Sequence, residues 1–290
     1  MGQKNKYLIS CIVTMLVSLS CAAQGNVLQG AYTPPDEAYR NDNFKKRVIP
    51  YPHLREADVM YKKRVWQVID LKQKFNQPFY HPQQPINNRK NLIDLIKYGL
   101  YNEMVTAYKP VNLDDEFKYP ILTMSGIDSL FNKTTIEDVY DNETLEVIGT
   151  EERQSPIDFE NITRYMIKEE WIVDKQRSER YVRILGIAPM IEQFKNGESR
   201  GYTPMFWLYY PHCRDLFASD QAEVYNIFND AQRRTFEDLF QKRYFSSYIV
   251  KEDNSFDRYI GEYATGLNAL AESERIQQEL FNLEHDLWHY

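Results

Sequence analysis

The sequence predicts an α+β protein: a largely antiparallel sheet, N-terminal and C-terminal helices packed on it, and an extended N-terminal arm. Two observations support this fold class. Short runs rich in β-branched and aromatic residues lie between about residues 120 and 253, and such runs are typical of strands. On both sides of this region apolar residues recur every three to four positions, which indicates helices that each bury one face.

The first 23 residues form an export signal. Lys4 and Lys6 precede a mostly apolar run from Tyr7 to Leu19, which is too short to cross a bilayer comfortably. Small residues follow this run and end at Ala23, as at a signal-peptide cleavage site. The exported chain is therefore predicted to begin at Gln24.

Cys21 leaves a second interpretation of this signal open, in which it becomes the lipid anchor of a bacterial lipoprotein. Such signals normally have a Leu three residues before the cysteine, and here that position is Ser18. Cleavage after Ala23 fits the sequence better. It removes Cys21 and leaves Cys213 as the only cysteine of the exported chain, so that no internal disulfide is expected.

Charge and composition exclude several classes of function. The chain has 42 acidic and 35 basic residues, and its formal net charge is -7. A nucleic-acid partner is not expected, because nucleic-acid-binding proteins present a basic surface. Beyond the signal, no apolar segment approaches the roughly 20 residues of a membrane helix, so no direct membrane span is expected. A hydrophobic content of 43% is ample for a packed core.

Residues 24–52 form an extended arm, which contains four prolines and shows no sustained helical or strand period. A segment of this kind cannot build its own core. We expect it to be an ordered strap that packs on the domain or on a neighbouring subunit. Its apolar side chains are candidate partner contacts: Tyr32, Tyr39, Phe44, Val48 and Ile49.

Two packed helices are predicted at the start of a single domain that spans residues 53–290. The first runs from Arg55 to about Phe75, where several apolar residues fall on one helical face. The second runs from Asn88 to Ala107, where apolar residues recur at every fourth position until Pro110 ends the pattern. A proline-rich connection joins the two.

The central region of the domain is predicted to consist of strands. The polar residues 175–178 separate two of the runs, which predicts a hairpin with a solvent-facing turn. The run at 205–211 is hydrophobic at successive positions, which favours a central strand buried on both faces. The strand-like runs are YPILTM (119–124), TLEVIG (144–149), ITRYMIKEEWIVD (162–174), ERYVRILGIAPMI (179–191), MFWLYYP (205–211) and SSYIVKED (246–253).

The chain ends in an amphipathic helix that is predicted from Ala269 to Tyr290. Its apolar stripe follows the helical spacing i, i+4, i+7 and i+11, and polar residues occupy much of the remaining surface. This stripe must dock either on the domain or on another chain. We therefore add its members to the candidate partner contacts: Ile276, Leu280, Leu283 and Leu287.

The sequence predicts no catalytic, metal or cofactor site. His285 and His289 are four residues apart, as in zinc proteases, but Asp286 follows the first histidine where the general base Glu would stand. His212 and Cys213 are adjacent, and neighbouring residues of a strand point to opposite faces, so they are not expected to form a catalytic pair. Cys213 is interpreted as a small core residue.

Five long strings together resemble the GldN (PorN) family of gliding-motility proteins, and they extend over nearly the whole exported chain. They are VWQVIDLKQKFNQPFY (65–80), LIKYGLYNEMVTAYKP (95–110), EEWIVDKQRSERYVRILGIAP (169–189), MFWLYYPHCRDLFA (205–218) and NDAQRRTFEDLFQKRYFSSYI (229–249).

The resemblance implies a non-enzymatic component of the type IX protein secretion and gliding-motility machinery. It implies a location in the periplasm, at the inner face of the outer membrane. The implied partners are a GldK/PorK-like outer-membrane lipoprotein and a GldM/PorM-like motor subunit. The chain would self-associate in a ring that also contains the lipoprotein. The resemblance brings no catalytic residue, metal or cofactor.

Two alternatives from other classes remain open. An exported lipoprotein that binds glycans would use Tyr32, Tyr39 and the aromatic run at 205–211, because exposed aromatic rings stack on sugars. An enzyme would depend on the histidines of the terminal helix and on Glu284. Acylation of Cys21 together with saturable sugar binding would favour the first alternative, and stoichiometric zinc would favour the second.

Overall fold

A computed structural model describes residues 47–286 apart from seven short gaps: 87–88, 111–116, 141–146, 158, 196–197, 226–228 and 230–231. Four of the candidate contacts lie outside the described residues: Tyr32, Tyr39, Phe44 and Leu287. The export signal also lies outside them.

One large sheet, two short sheets and several helices make up the described part of the chain, so the predicted α+β fold class is confirmed. The strands are β1 (Val59–Asp70), β2 (Ala107–Tyr108), β3 (Pro120–Ile121), β4 (Asn132–Tyr140), β5 (Val147–Pro156), β6 (Arg164–Asp174), β7 (Glu179–Lys195), β8 (Glu198–Pro204), β9 (Trp207–Tyr209), β10 (Glu223–Val224), β11 (Arg234–Thr235) and β12 (Tyr248–Glu252). The helices are α1 (Gln77–Tyr80), α2 (Leu92–Tyr101), α3 (Met124–Phe131), α4 (Tyr210–Phe217), α5 (Phe236–Gln241), α6 (Ile260–Tyr263) and α7 (Leu267–Asp286).

The main sheet contains eight strands. Its order is β12-β1-β6-β7-β9-β2-β3, and β8 pairs with β7 beside this path. Every pairing in the sheet is antiparallel. Two short sheets of two strands each, β4–β5 and β10–β11, stand outside this hydrogen-bonded path.

The predicted hairpin at the centre of the sheet is confirmed. Strands β6 and β7 pair from Arg164 and Met190 at one end to Asp174 and Glu179 at the other. The turn at residues 175–178 is exposed, as its polar composition predicted. This hairpin therefore supplies two long neighbouring strands at the centre of the sheet.

The predicted helix from Arg55 to Phe75 is wrong, because most of this segment is the strand β1. It lies between β12 and β6 and pairs with both. All five residues from Val65 to Ile69 are buried, so both faces of the strand are covered. Such a continuous buried run cannot be distinguished from a buried helix by periodicity alone, and pairing on two sides decided the outcome.

The second predicted helix is present as α2, although it is shorter than predicted. It begins after Asn91, whose side-chain oxygen accepts the N–H of Asp94 at 2.8 Å as an N-cap. It ends at Tyr101, and the chain then turns into β2. Met104, which follows the helical spacing in the sequence, therefore lies beyond the helix and is exposed.

Two predicted strands are partly helical in the structure. In the run at 205–211, residues 207–209 form β9, and α4 begins at Tyr210 with Pro211 in its first turn, where a missing N–H is tolerated. In the run at 119–124, only β3 is extended, and Thr123 caps the start of α3. The burial of the run at 205–211 was predicted correctly, but its strand is shorter than predicted.

The two faces of the main sheet carry different side chains. Helices α2, α4 and α5 contribute to a large core on one face, whose members include Ile69, Tyr165, Ile167, Ile187, Leu95, Leu100, Leu216, Phe236 and Phe240. The other face carries a smaller cluster of Trp66, Val68, Met166, Ala188, Met190 and Trp207. The terminal helix α7 packs beside the edge strand β12.

Candidate functional site

The described end of the arm, residues 47–52, packs against the domain, and we call this segment the strap. Arg214 of α4 donates from Nη2 to the carbonyl oxygen of Ile49 at 2.8 Å. Arg183 of β7 donates from Nη2 to the carbonyl oxygen of Pro52 at 2.6 Å. Hydrogen bonds from charged donors are stronger than neutral ones, so two guanidinium groups hold the backbone of the strap.

Tyr51 is the side chain that seats the strap. Its ring centroid lies 4.1 Å from the guanidinium carbon of Arg214 and 5.3 Å from that of Arg183, which is within cation–π range. Its hydroxyl oxygen accepts a hydrogen bond from Nε2 of Gln241 in α5 at 2.9 Å. Burial raises the pKa of Tyr51 above its ordinary value, so the phenol is neutral at physiological pH.

A buried ion pair supports the strap from below. Arg214 donates from Nε to Oε1 of Glu237 at 2.7 Å, and the Tyr210 hydroxyl donates to Oε2 of Glu237 at 2.7 Å. Glu237 lies in the first turn of α5, which is fixed by a capping box between Thr235 and Asp238. Burial and the adjacent Glu237 carboxylate raise the pKa of Tyr210 well above its ordinary value. Removal of either ionic partner would leave an uncompensated buried charge.

The structure describes two of the five predicted contacts of the arm. Val48 is half-buried and lines a cavity of about 390 Å³ beside the strap, whereas Ile49 is 80% exposed. Ile49 is therefore available to a partner. Sequence reasoning overlooked Tyr51, because its partners lie far away in the chain and no local pattern signals them.

The terminal helix α7 docks on its own domain. Ile276 and Leu280 are buried and pack with Val65 of β1, Ile249 of β12 and Ile260 of α6. The sequence left open whether the apolar stripe docks on the domain or on another chain. For Ile276 and Leu280 the structure shows docking on the domain. Their contact with a separate partner stays a prediction that nothing in the fold tests.

The rest of α7 presents other surfaces. Ser273 accepts the N–H of Ile249 on its Oγ at 3.0 Å, so the helix also satisfies a donor of the edge strand β12. Leu283 is half-buried near the end of the described helix. Leu267, Leu270 and Phe281 are exposed, although the sequence pattern assigned partner binding to the buried stripe.

A second buried charge, Glu169 of β6, escaped the sequence prediction. Its Oε1 accepts from Nη1 of Arg243 at 2.7 Å, and its Oε2 accepts from Nε2 of Gln67 at 3.0 Å and from Nε1 of Trp171 at 3.2 Å. With both oxygens satisfied, the carboxylate joins β1, β6 and the segment before β12. Its neighbour Glu170 faces the other side of the sheet, and the sequence alone does not show which of the two is buried.

Cys213 lies in the core, as predicted. Burial raises the pKa of its thiol well above the ordinary value, and the thiol donates to the carbonyl oxygen of Tyr209 at 3.4 Å. His212 stacks edge-on against the Tyr209 ring, with centroids 4.8 Å apart. The two residues are neighbours on helix α4 and not on a strand, so the structural reason given for separating them was wrong.

The residues named for the metal and sugar alternatives lie only partly within the described part of the chain. No group of three His, Cys, Asp or Glu side chains there could hold a metal ion, and His289 lies outside the described residues. Trp207 and Tyr210 of the aromatic run are buried, so their rings are closed to a stacking sugar. No helix in the described part of the chain has the length and apolarity to cross a bilayer.

Charged networks fix the strap and the sheet from within, and several large apolar side chains remain exposed. The sequence matches the model of the family described as gliding motility associated protein GldN over residues 54–289. The chain belongs to this family, which confirms the resemblance inferred from the sequence. No curated protein matches the chain.

Family membership identifies the chain as a component of the gliding-motility and type IX secretion machinery. The family is associated with the cell envelope, and it is a structural family and not a known enzyme family.

Proposed function

We propose that this chain is a periplasmic structural component that forms a ring with a GldK/PorK-like outer-membrane lipoprotein. In this proposal the ring is coupled to the periplasmic part of a GldM/PorM-like motor subunit. The observation that carries the proposal is the family match, which extends through almost the whole of the predicted domain at 53–290. The export signal supports the periplasmic location, because it directs the chain out of the cytoplasm.

A mechanical role requires that elements touching a partner are attached firmly to the body of the protein. The strap meets this requirement through its bonds to Arg183 and Arg214, and α7 meets it through the buried side chains of Ile276 and Leu280. Ile49 on the strap remains exposed. Force applied to either element would therefore pass into the main sheet.

The proposal assigns separate tasks to three parts of the chain. Residues 1–23 direct export, residues 24–52 are the assembly arm, and residues 53–290 are one domain that bears the load. The lipoprotein partner supplies the membrane anchor, so the chain needs none of its own. Mass spectrometry of the mature protein should find Gln24 at its N-terminus, and an acylated Cys21 would contradict this assignment.

Affinity purification of the tagged chain from gently solubilised envelopes tests the proposed function. We expect a GldK-like lipoprotein and a GldM-like motor subunit among the co-purifying chains identified by mass spectrometry. Recovery of this chain without either partner would reject the proposal. A control chain with an unrelated exported domain and the same tag defines the background.

A deletion of residues 24–46 tests the role of the arm within that function. We expect the deleted chain to keep its thermal unfolding transition, because the strap and the domain remain, and to lose most of its co-purifying partners. Unchanged recovery of both partners would remove the arm from the proposed assembly.

A further inference from the structure

The hairpin β4–β5 stands outside the main sheet and has two open edges. Its strands pair with each other along their length, and neither pairs with another strand in the described part of the chain. Its base is anchored, because Phe131 and Ile157 are buried and the N–H of Ile157 bonds to the carbonyl oxygen of Phe131 at 2.6 Å. A two-stranded ribbon alone is at best marginally stable in water. This hairpin would therefore gain stability from a further strand.

The outer part of the hairpin carries charge of one sign. Among its described residues, 137–140 and 147–152 include four carboxylates and no lysine or arginine: Glu137, Asp138, Glu151 and Glu152. Glu137 lies directly opposite Glu151 in the register of the two strands, and like charges in such positions destabilise a ribbon. A partner that brings positive charge would remove this cost.

A third open edge lies in β7, beside the strap. On one side β7 pairs with β6, but on the other side β9 pairs only with Gly186 and Ile187, and β8 only from Met190 onward. Within the described part of the chain, residues 181–183 therefore have no strand on this side. All three line the cavity of about 390 Å³ beside the strap, which we call the strap cavity. Because successive side chains of a strand point to opposite faces, three consecutive residues line one cavity only at the edge of the strand.

Positive charge exceeds negative charge in the strap cavity. The charged residues that line it are four bases and two acids: Arg47, Arg183, Arg214, Lys242, Glu237 and Asp238. Both acids are engaged, since Glu237 binds Arg214 at 2.7 Å and Asp238 lies 3.6 Å from Lys242.

Two of the four bases have no carboxylate partner among the described residues. Arg183 contacts the strap through the carbonyl oxygen of Pro52 and the ring of Tyr51, and Arg47 forms no ion pair. Nε of Arg183 is buried without an acceptor, and a buried donor in this state costs free energy. An incoming carboxylate would supply the missing acceptor.

The surroundings of the strap cavity do not cancel this excess. Glu170 is in register with Arg183 across the strands, but its carboxylate already binds Lys62 and Arg64, each at 3.0 Å. The described residues within two positions of the lining residues include three acids and four bases. The cavity therefore favours an acidic occupant.

We infer that the β4–β5 hairpin of one copy of this chain pairs with the open edge of β7 in the next copy, within the strap cavity. An outer edge of the hairpin would supply the backbone partners that residues 181–183 lack, which is recognition by strand addition. The carboxylates of the hairpin would meet Arg47 and Arg183. The occupant is thus a part of this chain that combines an open edge with the complementary charge.

This contact joins two different surfaces, so each copy gives its hairpin to one neighbour and accepts a hairpin from the other. Such a heterologous contact closes into a ring when the rotation between copies permits closure. The inference rests on the proposed function and assigns the copy-to-copy contact of its ring.

Cross-linking of single cysteines tests the contact in envelopes of cells that produce the full-length variants. Val182→Cys places a thiol at the edge of β7, and Thr150→Cys places one on β5, each on a copy with its own tag. With a short bifunctional thiol reagent we expect a linked dimer when both variants are produced together and none from either variant alone. A chain with both substitutions should give a ladder of larger multimers. Cys213 is buried and does not compete.

Three outcomes of this experiment would overturn the inference. A dimer from either variant alone would show a contact of one surface with itself. A link between the two positions within a single chain would show that the hairpin occupies its own strap cavity. The absence of a linked dimer between two variants with unchanged thermal unfolding would show that the two surfaces do not meet.

Charge substitution at the hairpin separates the contact from the fold, because the two should respond differently. Glu151→Lys removes the repulsion between Glu137 and Glu151, so the thermal unfolding temperature should not fall. The recovery of multimers should nevertheless fall about tenfold, because the new cation would meet the bases of the strap cavity. Unchanged recovery of multimers would reject the contact.

Charge substitution at the strap cavity provides the reciprocal measurement. Arg47→Glu should also lower the recovery of multimers about tenfold, and it should leave folding unchanged because Arg47 is exposed. Arg47→Glu combined with Glu151→Lys in one chain should restore multimers to at least about threefold above either single variant. Arg200→Glu is the matched control, since Arg200 is exposed and does not line the strap cavity. A combined variant no better than the single ones would contradict the pairing of these charges.

The two proposals fail in different ways. If the charge substitutions leave multimers intact while the lipoprotein and the motor subunit still co-purify, the copy-to-copy contact is rejected and the proposed function stands. If the unaltered chain recovers neither partner, the proposed function is rejected.

Discussion

The strap and the terminal helix α7 are both attached to the domain, but by different forces. Charged and polar bonds from Arg183, Arg214 and Gln241 hold the strap, and its exposed Ile49 contributes little burial. Apolar burial holds α7, through Ile276 and Leu280 in a core shared with the sheet. α7 is therefore part of the apolar core of the domain, whereas the strap is held by polar bonds that do not depend on α7.

The largest effect is expected at the ion pair beneath the strap. Arg214→Ala should lower the free energy of unfolding by about 3–5 kcal/mol, because Glu237 would remain buried without its ionic partner. Denaturant unfolding measures this change. Arg214→Met combined with Glu237→Gln removes the buried charge and should recover part of the loss. A loss below about 1 kcal/mol in the single variant would mean that the buried pair contributes no more to stability than an exposed pair does.

The next effect is expected on the buried face of α7. Leu280→Ala should lower the free energy of unfolding by about 2–5 kcal/mol, because a buried leucine leaves a cavity. Phe281→Ala on the exposed side of the same helix is the matched control and should change stability by less than about 0.5 kcal/mol. Equal effects of the two substitutions would refute the docking of α7 on the sheet.

A smaller effect is expected from the strap itself. Tyr51→Ala should lower the free energy of unfolding by only about 1–2 kcal/mol, since it removes cation–π contacts and one hydrogen bond without opening the main core. Hydrogen exchange should show faster amide exchange in residues 47–52 and unchanged exchange in α7. Tyr51→Phe keeps the ring and should keep most of the protection. Faster exchange in both segments would show that the attachment of α7 depends on the strap.

The smallest effect is a dependence on alkaline pH that sets the strap apart from α7. Burial raises the pKa of Tyr51 in the folded chain, because the neutral phenol is favoured there. The stability that the neutral phenol contributes is fully present below the unfolded pKa of about 10. It is lost as the pH rises through the folded pKa. A fluorescent label at Ile49→Cys should therefore gain mobility above about pH 10. The same label at Phe281→Cys should not, and Tyr51→Phe should weaken the response at the strap.

Local signals account for the elements that were predicted correctly. The β6–β7 hairpin has alternating and β-branched strands on both sides of a polar turn, and α2 and α7 have apolar stripes at helical spacing. Each of these signals lies within a few turns or strand lengths of chain. β1 was predicted as a helix because its buried run has no period that excludes one.

The sequence by itself determined the acidic charge, the α+β class and membership of the GldN family, because composition, local periodicity and long matching strings carry that information. The export signal stays a prediction of the sequence. Only the tertiary structure decided which residues hold the strap and that the apolar stripe of α7 docks on its own domain. The bonds to Ile49, Tyr51 and Pro52 join residues 131 to 190 positions apart in the chain. Contacts at such separations depend on how the whole sheet assembles, and no local pattern of residues encodes them.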